Sequence, residues 1–162
     1  MIVYKNGFTL IELVIVIVIL GILAATAAPK YINLQSDTKA SVIESIGGSM
    51  KSLSDMVHLK AQIESELDRT GCVSTNIGSI EVWYGYPESV SESSSCGPES
   101  YDMAELINLE ENNGIQVFTE DKSNGDCYSL SVGWDEQECY ARYTEACSAT
   151  IPASVNNVIT GC

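Results

Sequence analysis

The chain is poor in everything that builds a metal or catalytic centre. It has one histidine, His58, and no Cys-x-x-Cys pair. His58 also lies outside the cysteine-bearing region, so a zinc site is not expected. Ser93 to Ser95 have no base nearby in sequence, and no nucleophile–base or paired-carboxylate constellation emerges, so the chain does not read as an enzyme. Residues 121–126 (DKSNGD) look like a calcium loop at a glance. The glycine is one position early, however, and Val132 stands where the bidentate glutamate is required. No metal and no cofactor are expected. Basic residues are scarce too: after residue 70 only Lys122 and Arg142 face fifteen acids, a net charge of −13 within a chain total of −14. Such a surface repels phosphate backbones, which excludes a nucleic-acid partner. No Asn-x-Ser/Thr sequon is present.

The last scarcity is local. Between Lys5 and Lys30 there is no cation, yet Glu12 sits inside the apolar run FTLIELVIVIVILGILAATAA from Phe8 to Ala28. As a helix rising 1.5 Å per residue, this run would be about 31 Å long, the thickness of a bilayer's hydrocarbon core. A lone acid there costs roughly 2.5–3.5 kcal/mol and marks a function. An ordinary secretory signal ending at Ala25-Thr26-Ala27 is disfavoured by the acid, and a plain membrane anchor leaves it unexplained. A buried core helix would have to hide apolar surface on every side of a small protein. Glu12 therefore needs a partner, and the sensible cation is an amino terminus created just before Phe8 and presented by a second copy. The residues before the run, MIVYKNG, are short, and Gly7 lets a protease approach the backbone.

Gly7-Phe8-Thr9-Leu10-Ile11-Glu12 resembles the leader junction of type IV pilins and pseudopilins. The resemblance implies cleavage after Gly7 by a prepilin peptidase and N-methylation of Phe8. It implies that Glu12 meets the amino terminus of a neighbouring subunit during assembly by the inner-membrane pilus machinery. Residues 1–7 would be the cleaved leader and 8–28 the transmembrane and filament-core helix.

Beyond Pro29, Ile43, Ile46, Met50, Leu53 and Val57 recur at helical spacing, and Leu59, Ile63 and Leu67 continue it with drift. This predicts an amphipathic helix over 29–70 with its stop at Thr70-Gly71. Gly47-Gly48 weakens it by roughly 1 kcal/mol per glycine. His58 on this helix reads as a packing or surface residue. The layout is that of pilins, in which the stretch marked here by Gly21 and Pro29 can lose helicity in the filament.

After Gly71 the period shortens. Ile80–Tyr86 alternates and ends at Pro87, residues 88–100 read as an exposed loop and 102–111 as a short helix. Asn113-Gly114 turns into a strand at 115–120, Ser123–Asp126 makes a hairpin turn, and strands at 127–134 and 139–144 flank a turn at 135–138. Residues 151–162 read as a closing tail. The expected class is α+β: a long helix on an antiparallel sheet of about four strands within 71–162, the type IV pilin fold. Trp83, Tyr84, Tyr86, Trp134, Tyr140 and Tyr143 could stack on sugars, but at strand spacing they read as core.

Six cysteines, at 72, 96, 127, 139, 147 and 162, all lie after residue 70 and read as disulfides of an extracytoplasmic domain. A finer resemblance is to the mannose-sensitive haemagglutinin pilins. It rests on residues 15–24, Ala27-Ala28-Pro29-Lys30-Tyr31, Asn33-Leu34-Gln35, Tyr84-Gly85-Tyr86-Pro87, Cys139-Tyr140-Ala141-Arg142-Tyr143 and Thr160-Gly161-Cys162. That family has one disulfide pair, which Cys139 and Cys162 match. If 135–138 is the hairpin turn, Cys127 faces residues near 146 and Cys147 is its expected partner. Cys72 and Cys96 then remain. The resemblance implies a structural subunit that polymerises with itself, in the inner membrane before assembly and in a surface pilus afterwards. The pilus would serve attachment and biofilm growth, on a surface or glycan that the sequence does not identify. The alternative is a pseudopilin of a type II secretion system.

Overall fold

In the computed structural model the described residues are 7–90, 96–108, 114–120, 127–134 and 138–162. Residues 1–6, 91–95, 109–113, 121–126 and 135–137 lie outside them, and with them parts of the expected leader, of the expected helix at 102–111 and of the expected turns at 113–114, 123–126 and 135–138. The chain divides into two units, Met1–Thr38 and Lys39–Cys162. One helix, α1 (Leu10–Glu64), contributes to both.

In the first unit α1 continues through Gly21 and Pro29. Its large apolar side chains from Leu10 to Leu23 are all exposed.

In the second unit α1 is amphipathic. Ile43, Ile46, Met50, Ser54, Val57 and Ala61 are buried at spacings of three and four. The helix ends at Glu64 rather than at Thr70. Ser65 adopts φ 64° and the Glu66 amide donates to the Ala61 carbonyl at 2.9 Å, a left-handed cap of the Schellman kind. This corrects the expected 29–70 span. The drift of the apolar pattern has its consequence here: Leu59 and Ile63 fall on the solvent face, not against a sheet.

The two glycines of α1 differ. A side chain at Gly47 would meet the amide end of the exposed Asn157 side chain, which would have to turn away. A side chain at Gly48 would meet nothing within 4 Å.

Among the described residues eight strands follow α1: β1 (Gly71–Ser74), β2 (Ser79–Trp83), β3 (Tyr86–Pro87), β4 (Ser100–Tyr101), β5 (Gln116–Glu120), β6 (Ser129–Trp134), β7 (Cys139–Thr144) and β8 (Ser154–Val158). A short helix, α2 (Met103–Ile107), lies between β4 and β5. The carboxyl-terminal sheet is four-stranded and antiparallel in the order β5-β6-β7-β8. Its fourth strand, β8, comes from the stretch read as a tail. A second sheet, β1-β2-β3 with β4 pairing β2 in parallel, was not set out by the sequence pattern. The stretch Ile80–Tyr86 belongs to it, and is two strands rather than one. Tyr84 (φ 51°) and Gly85 (φ 79°) form a two-residue turn, and Val82 pairs with Pro87 across it.

Two apolar clusters result. Ile43, Ile46 and Met50 pack with Met103, Leu130, Val132, Ala141 and Tyr143. Val57 and Ala61 pack with Val73, Ile80 and Val82 of the second sheet. Buried polar groups tie the parts together. The Tyr143 hydroxyl donates to the Pro87 carbonyl at 2.6 Å, joining the two sheets. Glu145 accepts from the Ser89 amide at 2.9 Å, the Ser89 hydroxyl at 3.0 Å and the Tyr128 amide at 2.9 Å. Such charge-assisted bonds to a buried carboxylate are the strong ones. His58 stacks on Tyr86 with centroids 3.9 Å apart. Its Nδ1–H donates to the Gly85 carbonyl at 3.1 Å, which leaves Nε2 to accept from the Gln62 amide at 2.9 Å. It is a packing residue.

The cysteines close as Cys72–Cys96, Cys127–Cys147 and Cys139–Cys162. In the β6–β7 ladder Ser129 lies opposite Thr144, which carries Cys127 to the level of Ala146, beside Cys147. Burial pushes the Tyr143 hydroxyl well above the usual tyrosine range.

Candidate functional site

The amino-terminal segment is built from a cap and an apolar helix. Thr9 precedes the first helical residue and its hydroxyl accepts from the Glu12 amide at 3.3 Å. The same hydroxyl donates to the Glu12 carboxylate at 3.4 Å. Thr9-x-x-Glu12 is thus a variant of the capping box, with the acid held in the first turn where the helix dipole favours negative charge. Among the described residues Thr9 is the only hydrogen-bond partner of this carboxylate. The neutral hydroxyl, reached over a long bond, orients Glu12. The Thr-x-x-Glu spacing was readable in the sequence but was not used.

Around that acid everything is uncovered. Phe8 is exposed, and nothing lies within 4 Å of a side chain placed at Gly7 or at Gly21. Leu10–Ala28 is long and apolar enough to cross a membrane. The Thr26 hydroxyl is turned inward to the Leu23 carbonyl at 3.0 Å, so it adds little polarity to the surface. Lys30 and Tyr31, both exposed, follow the segment. Their amphipathic side chains suit the interfacial level of a bilayer.

The other sequence-predicted residues are elsewhere. The three disulfides lie in the second unit. Trp83, Tyr84 and Tyr86 are at the β2–β3 turn, and Tyr140 is flanked by Phe118 and Arg142. The Tyr140 ring thus already carries a guanidinium partner 5.0 Å from its centroid, which argues against that face as a free sugar platform. Among the described residues no group of three or more His, Cys, Asp or Glu could hold a metal ion.

An apolar helix long enough to cross a membrane begins at a Thr–Glu cap and is followed by an α+β domain closed by disulfides. The comparisons narrow the class. Residues 3–28 match the family described as the prokaryotic N-terminal methylation motif. Over 47 residues, 29% of its length, the chain is 49% identical to the type IV major fimbrial protein FimA of Dichelobacter nodosus. It is 43% identical over 47 residues to the type IV narrow pilus major component PilA5 of Thermus thermophilus. The chain spans only 30% and 40% of the lengths of these two relatives. No solved structure matches it. The amino-terminal segment is similar to those of type IV pilins, and the α+β architecture is consistent with the pilin fold.

Proposed function

We propose that this protein is the structural subunit of a type IV pilus. A prepilin peptidase cuts after Gly7, and Phe8 becomes the N-methylated first residue. The apolar helix holds the subunit in the inner membrane until the assembly machinery adds it to a filament of identical copies. The observation that carries this reading is Glu12. It is an acid in a helix otherwise built for hydrocarbon, held only by Thr9, in a segment that matches the methylation motif. In the filament the carboxylate takes the amino terminus of a neighbour as its cation. Gly21 and Pro29 are the points at which α1 can unwind during that packing. Proline lacks the amide that the helix needs, and glycine costs helix stability wherever it stands.

The disulfide-bonded, acidic second unit suits an exposed filament surface. With the short stretches shared with mannose-sensitive haemagglutinin pilins, it supports a surface pilus for attachment and biofilm formation. Electron microscopy of the wild-type strain beside a deletion strain tests this. Surface fibres should vanish with the gene, and mass spectrometry of sheared fibres should find N-methylphenylalanine first. Intact fibres with a loss of exoprotein secretion would instead identify a pseudopilin of a type II secretion system.

A further inference from the structure

A buried carboxylate is costly unless hydrogen bonds hold it. Among the described residues three acids are buried: Glu81 at 2% exposure, Glu145 at 3% and Asp102 at 6%. Asp102 caps α2, where its side chain accepts from the Glu105 amide. The two glutamates cap no helix, and both stand at a disulfide. Glu81 is the cross-strand neighbour of Cys72 in the β1–β2 ladder, and its carboxylate accepts from the amide of Cys96 at 3.2 Å. Cys72 and Cys96 are bonded to each other. Glu145 lies two residues before Cys147, and its carboxylate accepts from the amide of Tyr128, next to Cys127, at 2.9 Å. Cys127 and Cys147 are bonded to each other.

The third bridge, Cys139–Cys162, repeats the pattern at the surface. Glu138 directly precedes Cys139. Its carbonyl accepts from the Gly161 amide at 3.3 Å and its carboxylate from the Thr160 hydroxyl at 3.5 Å, on the two residues before Cys162. At every bridge, then, a glutamate beside one cysteine holds the chain at the other. A carboxylate takes several donors at once, and such charge-assisted bonds are stronger than neutral ones. These bonds join the segments whose sulfurs must meet, yet none of them involves sulfur. They can therefore form while the cysteines are still reduced.

We infer that Glu81 and Glu145, and to a smaller degree Glu138, are positioning residues that select the partner of each cysteine during oxidation. Six cysteines can pair in many ways, and spacing alone does not choose among them. The oxidant is itself a disulfide, of a small thiol or of a thiol oxidoreductase. One cysteine thiolate attacks it, forming a mixed disulfide and releasing the first thiol. A second cysteine thiolate attacks the protein sulfur of that mixed disulfide and releases the other thiol. Two electrons pass to the oxidant, and the two cysteine protons end on its released thiols. The second attack fixes the partner. A carboxylate that holds the two cysteine segments together favours the native pair at that step. The β1–β2 hairpin is local in sequence, so it presents Glu81 beside Cys72 to receive the Cys96 amide.

The test is oxidative refolding of the full-length chain in detergent. Reduced protein is refolded with oxidised and reduced glutathione, and its bridges are mapped by peptide mass spectrometry without reduction. Glu145→Gln keeps the shape of the side chain and removes its charge. The fraction in which Cys127 and Cys147 are wrongly paired or capped by glutathione should rise about tenfold over wild type, the effect of losing one charge-assisted bond, while Cys72–Cys96 stays native. Glu81→Gln should do the reverse. Glu138→Gln should raise wrong pairing of Cys139 and Cys162 by about twofold, because its carboxylate is exposed and its bond long. Oxidised in strong denaturant, where no carboxylate holds the chain, wild type and variants should give one and the same mixture. A glutamate that only stabilises the finished fold would scatter wrong pairs over all three bridges whichever position is changed. That outcome, or native pairing in both Glu81→Gln and Glu145→Gln, would overturn the assignment.

Discussion

The two units of this molecule treat apolar side chains in opposite ways. In Met1–Thr38, residues such as Leu10, Val14 and Leu23 are exposed, between 42% and 80%. In Lys39–Cys162, Ile43, Met50, Leu130, Val132 and Tyr143 are fully buried. Burial of a side chain of this size is worth roughly 1.5–3 kcal/mol, so the first unit leaves a large driving force unspent. The second satisfies itself, with two apolar clusters, three disulfides and buried hydrogen bonds through Tyr143 and Glu145. One unit is a finished fold. The other leaves its apolar surface uncovered.

This contrast can be broken from either side. The largest effect is expected at the leader junction. Gly7→Val should leave an uncut subunit in the inner membrane, seven residues longer on a gel, with filaments essentially lost and the disulfide-bonded domain still protease-resistant. Glu12→Val comes next. Removing the acid makes the helix wholly apolar, so insertion and processing should proceed while filament yield falls at least about tenfold, because the interaction with a neighbour's amino terminus is gone. Normal piliation of this variant would remove the role assigned to Glu12.

In the second unit, replacing both Cys139 and Cys162 by serine opens a bridge that spans 23 residues of sequence, and should cost about 3 kcal/mol in the chain-entropy argument. Denaturant melting of the detergent-solubilised subunit measures it. The neighbouring glycines of α1 should then split. Gly47→Ala has to displace the Asn157 amide and should gain less than Gly48→Ala, which meets nothing and should stabilise by about 0.5–1 kcal/mol. Equal effects at the two positions would show that the Asn157 contact does not constrain the helix.

The smallest effect is a titration. Burial raises the Tyr143 hydroxyl above its ordinary value of 10.0. Above about pH 10 the unfolded chain therefore releases a proton that the folded chain retains. The unfolded state binds fewer protons there, and stability falls as pH rises through and beyond that point, while below it the full contribution is present. Tyr143→Phe should cost about 1 kcal/mol at neutral pH through its lost hydrogen bond to Pro87, and should flatten the alkaline decline.

How much was legible follows from what each signal depends on. The cap and the apolar run of the first unit are local, and a 19-residue run broken only by Glu12 and Thr26 has few other readings. The helical period over residues 43–57 identified the buried face of α1, because a single stripe must meet the core. It failed at Leu59 and Ile63, where the pattern had drifted off that face and the helix was already close to Ser65. Strands β6 and β7 were readable from alternation and their turn. Strand β8 was not, because Ser154–Val158 is mostly exposed and polar and becomes a strand only by pairing with β7.

By itself the sequence determined that residues 8–28 are too apolar to be content in water, that Glu12 is the one acid among them, and that the six cysteines stand in an acidic region. Those conclusions need only composition and spacing, since hydration and charge act on every residue wherever the chain goes. Only the tertiary structure decided that Ile80–Tyr86 is a hairpin bent at Gly85, that Glu145 holds Ser89 and Tyr128, and that Gly47 is occupied by Asn157 while Gly48 stands open. Each of these is a contact between residues distant in sequence. Such contacts exist only once the helix and both sheets have packed, and no local pattern encodes which partner will arrive.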